Sequence, residues 1–294
     1  MAAAYGRSRL EFLIIASQDG LGRRIHEARY KRRPRTAGGL SMLLETKKLT
    51  KQFGGLVAVS DFDLGVDTGQ IVGLIGPNGA GKSTLFNLVT GVLPITSGQV
   101  LYDGKDITGK KPHQAAALGI GRTFQLNPLF ADFTVLENVS ASFHLHPKSS
   151  LIEIYFNTPT YRKNEAYIHE QSLAILNLVG LDKVKDELAR NLPHGYQKML
   201  GVARALATRP KLLLLDEPLG GMNPSEIDFT LNSIRKTREQ GVTFLIVEHN
   251  MQILDLCDRV VVISFGQKIC EGLPKEVRED QQVIRAYFGG DHAA

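Results

Sequence analysis

Two cysteines, Cys257 and Cys270, are all that the 294-residue chain contains, and they sit without ligand spacing or a repeated framework. A disulfide-stapled secreted scaffold and a cysteine-held zinc site are therefore excluded, and a reducing compartment is the expected setting. Long apolar runs are also missing. None approaches the roughly 18 residues that a bilayer crossing needs, so a chain of this kind that serves a membrane does so from the side. The apolar run at residues 12–16 is too short for a signal-peptide core. There is no internal repeat, no coiled-coil heptad pattern, and no Asn-Lys-x-Asp string of the kind that reads guanine.

Charge of one sign is scarce in most of the chain as well. The formal net charge is +5, but residues 1–41 hold nine Lys or Arg against three Asp or Glu, so the remainder is close to neutral. The basic arm, with Arg23-Arg24 and Lys31-Arg32-Arg33-Pro34-Arg35, admits a nucleic-acid, anionic-lipid or targeting reading. It is expected to be a disordered extension, because Met42 directly precedes the first well-patterned strand. With 43% hydrophobic and 22% charged residues, the rest can bury a core as one elaborated domain or two small ones.

What is present begins with Gly76-Pro77-Asn78-Gly79-Ala80-Gly81-Lys82-Ser83-Thr84, directly after the apolar run Ile71-Val72-Gly73-Leu74-Ile75. This satisfies G-x-x-x-x-G-K-[ST] in its strand-to-helix setting. The glycines let backbone N–H groups curl around a polyphosphate, Lys82 supplies charge for the outer phosphates, and the Ser83 hydroxyl can ligate magnesium. The following helix aims its partly positive end at the same anion. Its apolar positions are Leu85, Leu88, Val89 and Val92.

Around this loop, strand-like pieces at 43–45, 57–59 and 100–102 alternate with turn signals, and Asp103-Gly104 marks a hairpin. Helical patterning dominates to about residue 207. It includes a short helix near 115–118, a capping box at Thr134-Val135-Leu136-Glu137, an irregular surface insertion at about 141–165, and resumed helix through 165–181. Two unbroken apolar runs, 212–215 and 244–247, suit parallel strands covered on both faces. Strands at 260–263 and around Ile269 and a terminal helix over 274–287 close the chain.

Asp216 and Glu217 end the first of those apolar runs. Burying adjacent acids has a desolvation cost that a magnesium nucleotide offsets: Asp216 would hold the ion and Glu217 would polarise the attacking water as general base. Arg122-Thr123-Phe124-Gln125 stands where strand-rich sequence gives way to helices, and the Gln125 amide can reach magnesium or the water. Asn191-Leu192-Pro193-His194-Gly195-Tyr196-Gln197 is a glycine turn opening a helix, suited to a phosphate. His249 ends the second apolar run, where its imidazole can contact a γ-phosphate.

In this order, over essentially all of residues 42–290, the chain resembles the ATP-binding subunits of ABC transporters. The resemblance implies an α/β P-loop NTPase fold of the ABC type, with a RecA-like core, an antiparallel β subdomain and an inserted α-helical subdomain at about 126–207. It makes residues 76–84 the Walker A motif, Gln125 the Q-loop and residues 192–197 the signature. Asp216 and Glu217 become the Walker B pair, Gly221-Met222-Asn223 the D-loop and His249 the switch histidine. Catalysis then rests on Lys82, Glu217, Gln125 and His249, with ATP as cofactor and Mg²⁺ on Ser83, Gln125 and Asp216. Phe53 takes the place of the aromatic that stacks on adenine, worth roughly 1–3 kcal/mol by analogy with base stacking; the other reading is a core aromatic on an edge strand.

Within that superfamily the chain is similar to the larger ATPase of branched-chain amino acid uptake systems, through Leu49-Thr50-Lys51-Gln52-Phe53-Gly54-Gly55-Leu56, Gly121-Arg122-Thr123-Phe124-Gln125 and Val283-Ile284-Arg285-Ala286-Tyr287. The resemblance implies a peripheral subunit on the cytoplasmic face of the inner membrane, two permease subunits, a second ABC ATPase and, indirectly, a periplasmic solute-binding protein. Relatives for urea, amides or other small organic solutes would look alike. A soluble ABC ATPase acting on ribosomes or nucleic acid is the other alternative, carried mainly by the basic arm. The signature departs from Leu-Ser-x-Gly-Gln. Pro193 stands at the serine and has neither hydroxyl nor N–H, while Pro193, His194, Gly195, Tyr196 and Gln197 would face the ATP of a partner. Two unequal sites in a heterodimer are the expectation. Asn223 replaces the usual D-loop aspartate.

Overall fold

The computed structural model describes residues 41–123, 129–143 and 154–288. The basic arm up to residue 40, Gln125, the middle of the expected insertion and the last residues of the chain lie outside them.

Strand β1 (Met42–Phe53) turns at Gly54-Gly55 into β2 (Leu56–Asp67). After β3 (Ile71–Ile75) and helix α1 (Lys82–Val89), the chain returns to the first sheet as β4 (Ser97–Tyr102) and β5 (Lys105–Asp106). These four strands form an antiparallel sheet in the order β2-β1-β4-β5. The Asp103-Gly104 signal is realised as a tight turn in which both residues have positive φ, 50° and 73°, the geometry that suits the right-handed twist of a hairpin. Next come α2 (Pro112–Ala117), β6 (Ile120–Arg122) and the helices α3 (Val135–Phe143), α4 (Pro159–Val179) and α5 (His194–Ala207). The chain closes with β7 (Leu212–Asp216), α6 (Pro224–Glu239), β8 (Thr243–Val247), β9 (Arg259–Ser264), β10 (Gln267–Gly272), α7 (Pro274–Glu279) and α8 (Gln281–Phe288).

The second sheet runs β10-β9-β3-β8-β7-β6, parallel except for β10 on its edge. Every residue of β3, β7 and β8 is buried, as unbroken apolar runs between two covered faces require. Side chains alternate between the faces. Ile71, Ile75, Leu213, Leu215, Phe244 and Ile246 join the core formed with α3 to α6, whereas Val72, Leu74, Leu212, Leu214, Leu245 and Val247 join α1 and the antiparallel sheet. The parallel sheet thus separates a helical block from a strand-rich lobe. Its carboxyl edge is where ligands of such sheets gather.

Three boundaries differ from the sequence reading. Helix α1 stops at Val89, before Val92, because the chain reverses at Gly91 with φ +71°, where a Cβ would lie 2.0 Å from the Lys110 carbonyl oxygen. Helix α4 begins at Pro159, inside the stretch read as irregular: the Thr158 hydroxyl accepts the Tyr161 N–H and proline occupies the first turn, so this Thr-Pro pair starts a helix. The terminal helix is two, because Asp280 leaves helical geometry and its Oδ1 accepts the N–H groups of Gln282 (2.7 Å) and Val283 (3.1 Å). The capping box at Thr134 and Glu137 forms as expected, with reciprocal bonds of 3.1 and 2.7 Å.

Candidate functional site

The central strands bring four of the expected residues to one edge. Val247, the last residue of β8, pairs with Leu74 on β3 and with Asp216 on β7, so residues 76–82, 216–217 and 248–249 leave the sheet side by side. Packing dictates the loop's shape at Gly76, where a Cβ would lie 2.1 Å from the Ile263 carbonyl oxygen, and at Gly81, which caps α1 at φ +108°. Asn78 and Gly79 form the exposed tip, Pro77 is half-buried and Ala80 buried. No side chain caps the start of α1, so its first N–H groups point at the space in front of the loop. Ser83 is exposed and Thr84 half-buried in the first turn.

Lys82 is buried, and its ammonium donates to the carbonyls of Gly76 (2.7 Å) and Pro77 (2.8 Å). Burial lowers its pKa, opposed by the charges of Glu217, Asp216 and Glu248. Asp216 is buried too. Burial raises its pKa against the pull of Arg122, whose Nη2 lies 3.1 Å from Oδ2. The same guanidinium donates to Asn87 Oδ1 (2.6 Å) on α1 and to Thr90 Oγ1 (3.3 Å) at its C-cap, so Arg122 braces the phosphate-loop helix against the acidic strand end.

Glu217 has a left-handed backbone, φ +49°, rare for a residue with a side chain. His249 Nδ1 is 3.9 Å from its Oε1 and 3.8 Å from Glu248 Oε2, and the imidazole is about half exposed (54%). Glu248 is fully buried. Its Oε1 accepts the Leu219 N–H (2.6 Å), while Oε2 accepts those of His249 (2.9 Å) and Asn250 (3.1 Å). On the other side, the Lys198 ammonium of α5 donates to the Glu217 and Gly220 carbonyls, both at 2.7 Å.

Phe53 is 45% exposed at the end of β1 with the Lys51 ammonium 4.8 Å from its ring centre; a core aromatic it is not. The 193–197 turn opens α5, with Pro193 and His194 exposed. Gly195 is buried and its N–H donates to Glu226 Oε1 (3.0 Å) on α6. Tyr196 packs on Phe229 with ring centres 4.9 Å apart, and the Gln197 amide donates to the Leu192 carbonyl (3.0 Å). Thus three of the five signature positions engage this chain's own groups. Asn223 caps α6, its Oδ1 accepting the Glu226 N–H (3.0 Å) and its own N–H donating to Glu226 Oε2 (3.0 Å), a role in which Asn equals Asp.

Arg122, Lys198, Glu226 and Glu248 were not singled out for these roles by motif. The only sequence signal is that three of them adjoin a motif residue: Arg122 precedes the Thr-Phe-Gln string, Lys198 follows Gln197, and Glu248 precedes His249; Glu226 stands three residues beyond Asn223.

Among the described residues no group of three His, Cys, Asp or Glu side chains could hold a metal on its own. A carboxylate at a strand end with an exposed hydroxyl in the first helical turn fits magnesium that arrives on phosphates, since that ion binds through one or two carboxylates plus phosphate oxygens.

The family model described as "ABC transporter" matches residues 59–220, and that described as "Branched-chain amino acid ATP-binding cassette transporter" matches residues 267–293. The chain is 40% identical over 249 residues to the high-affinity branched-chain amino acid transport ATP-binding protein BraF of Pseudomonas aeruginosa, covering 84% of this chain and 98% of that one. It is 36% identical to LivG of Escherichia coli over the same shares. A crystal structure of the ADP conformation of an ATP-binding cassette of an ABC transporter superposes with a TM-score of 0.74 at 35% identity, covering 84% of this chain and 99% of that one.

Proposed function

Because this chain belongs to the ABC transporter ATP-binding family, an ATPase family, we propose that it is the ATP-hydrolysing subunit of an importer for branched-chain amino acids. The observation that carries the hydrolytic part is the convergence of Lys82, Asp216, Glu217 and His249 at the ends of three adjacent strands. Lys82 and the N–H groups of the loop and α1 hold the phosphates. Asp216, Ser83 and Gln125 would hold a magnesium ion, which would supply screening of the phosphate charge. Glu217 takes the proton of the attacking water, and His249 contacts the γ-phosphate. Phe53 offers its ring to the adenine.

No helix among the described residues is long and apolar enough to cross a membrane. The likeness to the transport ATP-binding proteins BraF and LivG supports a reading with two permease subunits on which this chain sits at the cytoplasmic face, fed by a solute-binding protein outside. The cargo rests on the similarity to BraF and LivG and on the match at residues 267–293. Deleting the gene should lower uptake of labelled leucine, isoleucine and valine. Unchanged leucine uptake with reduced urea or amide uptake would move the cargo to those solutes.

The signature residues 193–197 would serve the nucleotide held by a second ATPase, and the altered Pro193 supports a heterodimer in which that site is the weaker of two.

A further inference from the structure

The turn from Glu217 to Gly220 is gripped by two side chains of opposite charge that arrive from different elements. Lys198, from the helix that follows the signature turn, donates to the carbonyls of Glu217 and Gly220. Glu248, from the end of β8, accepts the N–H of Leu219 and also fixes the N–H groups of His249 and Asn250. Between them the Glu217 backbone is held at φ +49°. A left-handed conformation in a residue with a Cβ costs on the order of 1 kcal/mol or more and persists only where the surroundings over-determine it. Here they do, through three hydrogen bonds to a turn of four residues. Burial lowers the Lys198 pKa, and the Glu248 and Glu217 charges oppose that shift, so the two arms of the grip also sense each other.

We propose that Lys198 and Glu248 are positioning residues for ATP hydrolysis: together they clamp the Glu217 turn so that the general base is aimed at the attacking water. Because Lys198 sits on α5, directly after the residues offered to a partner's nucleotide, the clamp also ties the setting of the base to the placement of this chain's own signature. Glu248 ties it to the loop that carries His249. Both side chains bond backbone groups of this chain.

The inference rests on the reading of Glu217 as base, and the test separates the two. The chain is assayed in its assembled transporter, as wild type, Glu217→Gln, Lys198→Met, Lys198→Arg and Glu248→Gln. Lys198→Met keeps the stem and removes the donors. Misplacing a catalytic group from outside the reacting shell can cost as much as roughly 10²-fold, so Lys198→Met and Glu248→Gln should lower kcat by about tenfold or more while the KM for ATP stays within about threefold. Lys198→Arg, which restores donors, should recover most of the loss. Retention of hydrolysis by Glu217→Gln would remove the base itself. Full loss in Glu217→Gln with wild-type kcat in Lys198→Met would leave the base standing and overturn the clamp. A loss of kcat matched by an equal rise in KM, or no recovery in Lys198→Arg, would also overturn it. If Lys198→Met does not fold, Glu248→Gln alone decides by the same criteria, and failure of both to fold makes these residues props of the fold and the clamp wrong.

Discussion

At the scale of single residues, the site divides into groups that we propose meet the nucleotide and groups whose hydrogen bonds fix the turns that carry them. Glu217→Gln keeps the shape of the side chain and removes its basicity. It should bind ATP as wild type does and lose turnover by roughly 10²-fold or more, measured as single-turnover hydrolysis beside nucleotide binding. Gly76→Ala and Gly79→Ala test the loop in another way. A Cβ at Gly76 would meet a backbone oxygen at 2.1 Å, whereas at Gly79 nothing lies within 4 Å. Both sites are in the same loop, yet Gly76→Ala should lower both the melting temperature and ATP binding far more than Gly79→Ala, whose cost is limited to its φ of +78°. The cysteines give a check on burial. Cys257 is buried beneath Gly73 and its thiol is pushed up to about 12 by burial. A raised thiol pKa means less thiolate at any lower pH, so Cys257 should resist alkylation in the native chain and react once it unfolds. Lys82, Asp216, Glu217 and His249, which the structure brings to one sheet edge, could be nominated from the sequence because each stands in a contiguous motif just beyond an apolar run. Lys198, Glu226, Glu248 and Arg122 could not, because their partners are 19, 31, 29 and 94 positions away, and only folding brings them together.

At the scale of elements, strands were easier to read than helix limits. Runs such as Leu212-Leu213-Leu214-Leu215 are buried on both faces and have no polar position to blur them. Helix ends are set instead by single capping side chains. Thr158 and Asp280 both do this, where the sequence pattern alone points to a loop at Thr158 and one continuous helix through Asp280. Asn223 is the cap with the greatest functional reach, since it fixes the start of α6 beside the signature turn. Asn223→Ala should cost about 1 kcal/mol of stability, whereas Asn223→Asp should be neutral, as thermal melts would show. A marked loss in Asn223→Asp would mean that the amide makes a contact beyond the cap.

At the scale of the whole molecule, the two surfaces that we propose meet nucleotide differ in their side chains. The edge with Lys82, Asp216 and Glu217 is fully furnished, while the turn at 193–197 lacks the serine hydroxyl and lends its Gly195 N–H to Glu226. Pro193→Ser should therefore raise the ATPase rate of the assembled complex, and an unchanged rate would count against unequal sites. That asymmetry was visible in the sequence through Pro193 alone; the part played by Glu226 was not, since a glutamate in the first turn of a helix reads as an ordinary cap. Arg122 has a consequence for the molecule in its cell. The buried Asp216 carboxylate has a resident guanidinium at 3.1 Å, so a free divalent ion does not meet a bare anion but has to compete with a tethered cation. If Asp216 helps to hold magnesium, as we propose, phosphate oxygens arriving with the ion would tip that contest, and the edge would admit the metal as a nucleotide complex rather than from the surrounding solution.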